Sequence, residues 1–149
     1  MNEKFTATKR HTAITLGYLG LLPPFIGVSA SLANYISVQE SFDFCLLYAN
    51  MILSFLGGTH WYAGISSKIG KPKRKILLGI FASLLGVISL LIGSIFGATL
   101  TVAGLLVLVG MEKYAPLSSE GDLQWYLSLR VNLTAGLVSL LIVNLWFSS

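Results

Sequence analysis

Charged side chains are scarce in this sequence, and their scarcity excludes an ordinary soluble domain. Only 11% of the 149 residues are Asp, Glu, Lys or Arg, while 54% are hydrophobic. Soluble domains carry about 25% charged residues. A soluble protein of this length could not bury so much apolar surface, because small domains leave much of their surface in contact with water. The composition therefore predicts an integral membrane protein.

Cysteine and histidine are also rare, which limits the chemistry available to the chain. The single cysteine, Cys45, excludes an internal disulfide. The two histidines, His11 and His60, lie far apart in the sequence, and no Cys/His spacing resembles a zinc or haem motif. We therefore expect no metal and no cofactor.

Long apolar runs are what the sequence has in abundance. A helix needs about 20 apolar residues to span a membrane. The run Ile76–Met111 has 36 residues, which would reach about 54 Å as one helix, nearly twice the thickness of the hydrocarbon core. Two helices that turn near Gly93–Gly97 fit better. We therefore predict one domain over residues 1–149, an all-α bundle of five transmembrane helices at about 14–36, 44–66, 76–92, 96–111 and 129–147.

Basic residues indicate an orientation, because Lys and Arg favour cytoplasmic loops. If the N-terminus is inside, the inside segments are 1–13, 67–75 and 112–130, and they contain every Lys and Arg in the chain. The outer loop carries Glu40 and Asp43 instead. We therefore expect the N-terminus inside and the C-terminus outside. The cluster Lys68–Lys75 should attract anionic lipid headgroups, although topology alone explains it, and we expect no nucleic acid partner.

The N-terminus resembles a secretory signal because Lys4, Lys9 and Arg10 precede an apolar run. The run continues past the small residues where cleavage could occur and contains Pro23 and Pro24, so we expect an uncleaved first span. A presequence rich in Arg and Ser is also lacking. These features favour a bacterial inner membrane, with the mitochondrial inner membrane as the alternative.

Backbone breakers occur in the first two predicted spans. Pro23 and Pro24 remove helical donors from carbonyls one turn earlier. This pattern predicts either a kink relieved by neighbouring helices or a broken helix at a binding site. Gly57 and Gly58 in the second span fall at a similar depth, so we expect their bare backbone to approach the freed carbonyls.

A group of polar and aromatic residues is predicted in the inner half of the membrane. His60 is the only ionisable residue well inside an apolar run, and it is either a neutral histidine hydrogen-bonded across helices or part of a functional site. Arg130 is either a snorkelling side chain near an aromatic belt or a contact for an anion or lipid headgroup. Trp61, Trp125 and Asn132 complete the candidate ligand site, which also includes the Pro-Pro and Gly-Gly pairs. No Asp or Glu is expected inside a span.

Small residues recur along the third span, a pattern that permits close approach of helices. They are Gly79, Ser83, Gly86, Ser89 and Gly93. The stripe fits packing within the bundle, and it also fits a seam between copies of the chain in a homo-oligomer.

Three segments resemble a known family: Gly17–Pro23, the Leu-Ser-Phe-Leu-Gly-Gly-Thr-His-Trp run that ends at Trp61, and Trp125–Thr134. They are similar to the domain-of-unknown-function 3429 family, small bacterial and mitochondrial membrane proteins that include transmembrane protein 69. The resemblance implies a five-helix inner-membrane protein. It implies no established activity, so no catalytic residue is carried over.

Three function classes remain open from the sequence. The first is a non-enzymatic membrane subunit or small binding protein for a lipid, a quinone or a protein partner. The second is a small transporter or channel that acts as an oligomer. The third is a membrane enzyme, for which His60 is the main titratable group available inside a span. The lack of reactive pairs favours the first class over an enzyme.

Overall fold

A computed structural model describes residues 2–66, 72–114 and 124–148, and all its regular elements there are helices. Within these ranges, five helical segments, the first of them made of two helices, are long and apolar enough to cross a membrane, as predicted from the sequence. Residues 67–71, which include Lys68 and Lys71 of the predicted basic cluster, lie outside the described residues. The helices are α1 (Asn2–Leu19), α2 (Leu22–Leu32), α3 (Val38–Ser66), α4 (Pro72–Ile92), α5 (Ser94–Tyr114) and α6 (Gln124–Ser148).

The first span is two helices, α1 and α2, that are separated at Gly20–Leu21. Pro23 and Pro24 stand in the first turn of α2, where a missing N–H does no harm to that helix. The prolines leave carbonyls at the break without helical donors. Tyr48 of α3 satisfies one of them, since its hydroxyl donates to the Gly20 carbonyl at 2.6 Å.

α3 begins at a capping box formed by Ser37 and Glu40. The Glu40 N–H donates to Ser37 Oγ at 3.1 Å, while the Ser37 N–H donates to Glu40 Oε2 at 2.8 Å. This reciprocal pairing satisfies free donors at a helix start. From there α3 runs through the centre of the bundle and contacts α2, α4, α5 and α6.

α4 and α5 are joined by a very tight turn. Gly93 and Ser94 both adopt positive φ, at 61° and 50°, and Gly93 is the residue type that does so without strain. The turn brings Gly97 so close to α4 that an added Cβ would collide with the Ser89 carbonyl. The long apolar run is therefore divided at Gly93.

The small-residue stripe of α4 packs against α3 within the same chain. An added Cβ at Gly79 would lie 2.8 Å from the Trp61 Cβ, and one at Gly86 would lie 3.3 Å from Asn50 Oδ1. Ser83 and Ser54 hydroxyls meet at 3.0 Å. The stripe is thus a seam inside the bundle, the first of the two interpretations.

Large apolar side chains cover the outside of the helices. On α4 alone, Leu77, Phe81 and Leu91 are 66%, 60% and 82% exposed. Water would penalise such a surface, but lipid tails solvate it. The interior contains leucines instead, with Leu53, Leu105 and Leu141 each 0% exposed.

Candidate functional site

His60 lies in the last third of α3, where the helix faces the interior, and it is 2% exposed. Its Nε2 lies 3.0 Å from Oε1 of Glu112 on α5. The histidine therefore contacts a carboxylate of another helix.

Glu112 corrects the expectation that no acidic residue lies inside a span. α5 continues to Tyr114 rather than ending at 111, and Glu112 falls within the span Ser94–Lys113 with 5% exposure. Because Lys113 follows it directly, the two charged residues Glu112 and Lys113 are typical of the start of a loop. The signal that could have found it is Arg130: a buried cation in an apolar run requires a counter-ion at the same depth.

Arg130 is paired inside the protein and is only 4% exposed, unlike a snorkelling side chain. Its Nη1 forms an ion pair with Glu112 Oε1, and its Nη2 donates to Thr59 Oγ1 at 2.6 Å. Its guanidinium also lies 4.9 Å from the centre of the Tyr126 ring, within cation–π range. We call Glu112, Arg130 and His60 the buried ionic cluster.

Trp125 adjoins the buried ionic cluster through Tyr126. The two rings meet edge to face, with centroids 5.8 Å apart. Arg10 of α1 lies 5.6 Å from the centre of the Trp125 ring. The start of α6 is thus tied to α1 on one side and to α3 and α5 on the other.

A cleft of about 340 Å³ lies beside the buried ionic cluster, within the range of small-molecule sites. α1 and α3 both pack on α6, and residues of all three helices line the cleft. The lining is mostly apolar, with Arg130, Tyr126, Tyr48 and Thr134 as its main polar members. Gly20 and Leu21 also line it, so the break in the first span borders the cleft.

The Gly-Gly pair is not beside the proline break, contrary to the expectation from depth. Gly57 faces α4, where an added Cβ would lie 2.7 Å from the Gly79 carbonyl oxygen. Gly58 is exposed, and nothing lies within 4 Å of its potential Cβ. Tyr48, rather than either glycine, satisfies the freed carbonyl at Gly20.

The remaining predicted residues make other contacts. Trp61 is 45% exposed on the α4 side of α3. Asn132 is exposed and donates to the Tyr18 hydroxyl at 3.5 Å. Pro23 is half-buried and Pro24 is buried at the start of α2, where the Pro24 carbonyl accepts from Cys45 Sγ at 3.6 Å.

A second buried polar group, absent from the predicted site, joins α3, α4 and α5. Asn50 Nδ2 donates to Ser89 Oγ at 3.2 Å, and Thr101 Oγ1 donates to Asn50 Oδ1 at 3.0 Å. The Ser89 and Thr101 hydroxyls lie 2.6 Å apart. Since these groups satisfy one another, we assign them to helix packing.

The family comparison agrees with the resemblance noted in the sequence. The model of a family described as "Protein of unknown function (DUF3429)" matches residues 9–146, nearly the whole chain. The chain belongs to this family. No curated protein and no solved structure matches it. The family description names no activity, so the function must be argued from the site.

Proposed function

We propose that this protein is a non-enzymatic membrane binding protein that holds an amphipathic, lipid-soluble molecule in the cleft between α1, α3 and α6. The observation that carries the proposal is the juxtaposition of an apolar cleft with a buried arginine, Arg130, in its lining. An apolar pocket with a few converging polar groups is the usual form of a small-molecule site.

The rim of the cleft supports entry from the bilayer. Leu16 on α1 and Phe55 on α3 line the cleft and are 63% and 67% exposed. Exposed apolar residues at a rim favour contact with lipid tails. A ligand could therefore enter sideways from the membrane with its chain along the leucines and its head near Arg130.

The test is recovery of a bound molecule after purification in mild detergent, followed by lipid mass spectrometry. Ala13→Trp places a large ring in the cleft, and Leu19→Trp adds the same ring at an exposed position of α1 outside it. We expect one species to be enriched in the native protein and Leu19→Trp, and lost from Ala13→Trp. Equal lipid content in all three would overturn the proposal.

We propose the orientation that the basic residues indicate, with the N-terminus inside and the C-terminus outside, in a bacterial inner membrane or, alternatively, the mitochondrial one. The pairing of Arg10 with Trp125 and of Arg74 Nη2 with Met111 Sδ at 3.5 Å supports it. These contacts hold the basic ends of α1, α4, α5 and α6 at one end of the bundle.

One observation favours a second candidate function, proton-coupled transport by an oligomer. Glu112 and His60 are titratable, lie within hydrogen-bond distance and are buried in apolar helices. Intramembrane pairs of this kind occur in proton relays. Proteoliposomes with a trapped pH-sensitive dye test it: a proton flux above that of empty vesicles, abolished by His60→Gln, supports transport, and identical traces exclude it.

A further inference from the structure

At the end of the cleft where Arg130 lies, side chains on one face of α6 offer hydrogen-bond donors. Arg130 and Thr134 are four residues apart, so their side chains lie one above the other on the helix. Both line the cleft. Arg130 Nε is buried and has no hydrogen-bond partner among the described residues. A buried donor without a partner costs free energy until an acceptor reaches it.

The electrostatics of this end of the cleft discriminate between headgroups. Glu112 neutralises Arg130, so the ion pair as a whole carries no net charge. A phosphate drawn to Arg130 would also approach the Glu112 carboxylate, and like charges in a low dielectric repel strongly. A neutral carbonyl oxygen accepts a hydrogen bond without that repulsion.

We infer that the ligand is a neutral lipid whose head presents carbonyl oxygens to Arg130 and Thr134, and this inference rests on the binding function proposed above. An isoprenoid quinone and a diacylglycerol share that chemistry. Tyr48 and Tyr126 in the lining supply aromatic surface against which a flat ring could pack. Protein atoms cover Arg130 Nε, so binding requires a small movement of the guanidinium, a common adjustment on complex formation.

The experiment is native mass spectrometry of the intact protein in detergent with three short-chain probes. They are decylubiquinone, dioctanoylglycerol and dioctanoyl-phosphatidylglycerol. We expect one of the two neutral probes to bind one to one and more tightly than the anionic one. The preferred neutral probe then shows whether the carbonyl oxygens belong to a quinone or to a diacylglycerol. Tighter binding of phosphatidylglycerol, or binding of none of the three, would overturn the inference.

Variants of α6 test the contacts themselves. Thr134→Val should weaken the preferred neutral probe roughly two- to tenfold, the effect of one hydrogen bond, and Thr134→Ser should restore it. Arg130→Lys keeps the charge beside Glu112 but removes the guanidinium, with both the Nε donor and the hydrogen bond to Thr59, and it should weaken binding about tenfold or more. Ser139→Ala is the control, because Ser139 is exposed and bonds only within its own helix. Unchanged binding in Thr134→Val would contradict the assignment.

Failure of this inference can be told apart from failure of the proposed function. If a phospholipid co-purifies with the native protein and is lost from Ala13→Trp, the cleft binds a lipid but the headgroup chemistry is wrong. If no molecule depends on Ala13, the binding function itself fails.

Discussion

Glu112 and Arg130, which belong to different helices, form an ion pair in which both side chains are only 4% exposed. Neither charge could be left alone in an apolar interior without a large free-energy cost. The pair therefore joins α5 to α6, and Thr59 and His60 extend the connection to α3. Arg130, which also lines the cleft, is thus oriented by this pairing.

Removal of one member of this pair should destabilise the protein more than removal of both. Glu112→Gln and Arg130→Gln each leave a buried charge unpaired, and we expect each to lower the free energy of unfolding by roughly 3–5 kcal/mol. The double variant should recover a large part of the loss. Unfolding in detergent measures the free energies of the two single variants and the double variant. Lys113→Gln is the control, because Lys113 is exposed. Additive losses in the double variant would mean that the two side chains do not interact.

The two adjacent glycines should respond differently to the same substitution. Gly57→Ala forces a methyl group to 2.7 Å from the Gly79 carbonyl oxygen and should separate α3 from α4, with reduced thermal stability. Gly58→Ala meets nothing within 4 Å and should be neutral or slightly stabilising, because alanine favours a helix over glycine by about 1 kcal/mol. The melting temperatures of the two variants test this prediction. Equal changes would contradict the close packing of α3 against α4 at Gly57.

Thr101 should matter more than the nearby Thr99. Thr101 is buried and bonded to Asn50 and to the Gly97 carbonyl, whereas Thr99 is exposed and bonds only within α5. We expect Thr101→Val to lower the free energy of unfolding by about 1 kcal/mol, near the usual range for interhelical hydrogen bonds in membranes. Thr99→Val should have no effect in the same unfolding assay. A larger loss in Thr99→Val would show that the buried polar group is not what holds these helices.

The proposed orientation predicts which positions a membrane-impermeant thiol reagent reaches. In a Cys45→Ala background, Lys73→Cys and Lys113→Cys should be labelled from one side of the membrane. Tyr35→Cys, which is 85% exposed between α2 and α3, should be labelled from the other. Labelling of Lys73→Cys and Lys113→Cys from opposite sides would require a different number of crossings.

Hydropathy and length are sufficient to predict the five spans, because the thickness of a bilayer sets the number of apolar residues that each span needs. They also divided the long run near Gly93, since no single helix of that length fits a membrane. The capping box at Ser37 and Glu40 shows why α3 begins several residues before the predicted 44. Polar residues can extend a helix beyond the apolar run that identifies it.

The site was harder to predict because depth does not specify rotation about a helix axis. The sequence predicts His60 and Arg130 in one group, and the structure brings both side chains to Glu112. Gly57 faces α4 rather than the proline break, so the contact expected from the predicted depth does not form. The cleft itself depends on the mutual packing of three helices, which one sequence does not reveal.

The most direct test of the cleft is photo-crosslinking in the native membrane. A diazirine amino acid replaces Leu16 at the rim of the cleft in one variant and Leu77 on the outer face of α4 in another; the two positions are 63% and 66% exposed. Adducts at Leu16 should be dominated by one neutral lipid enriched over its abundance in the membrane, while adducts at Leu77 follow the bulk composition. The same distribution of adducts at both positions would contradict a specific ligand in the cleft.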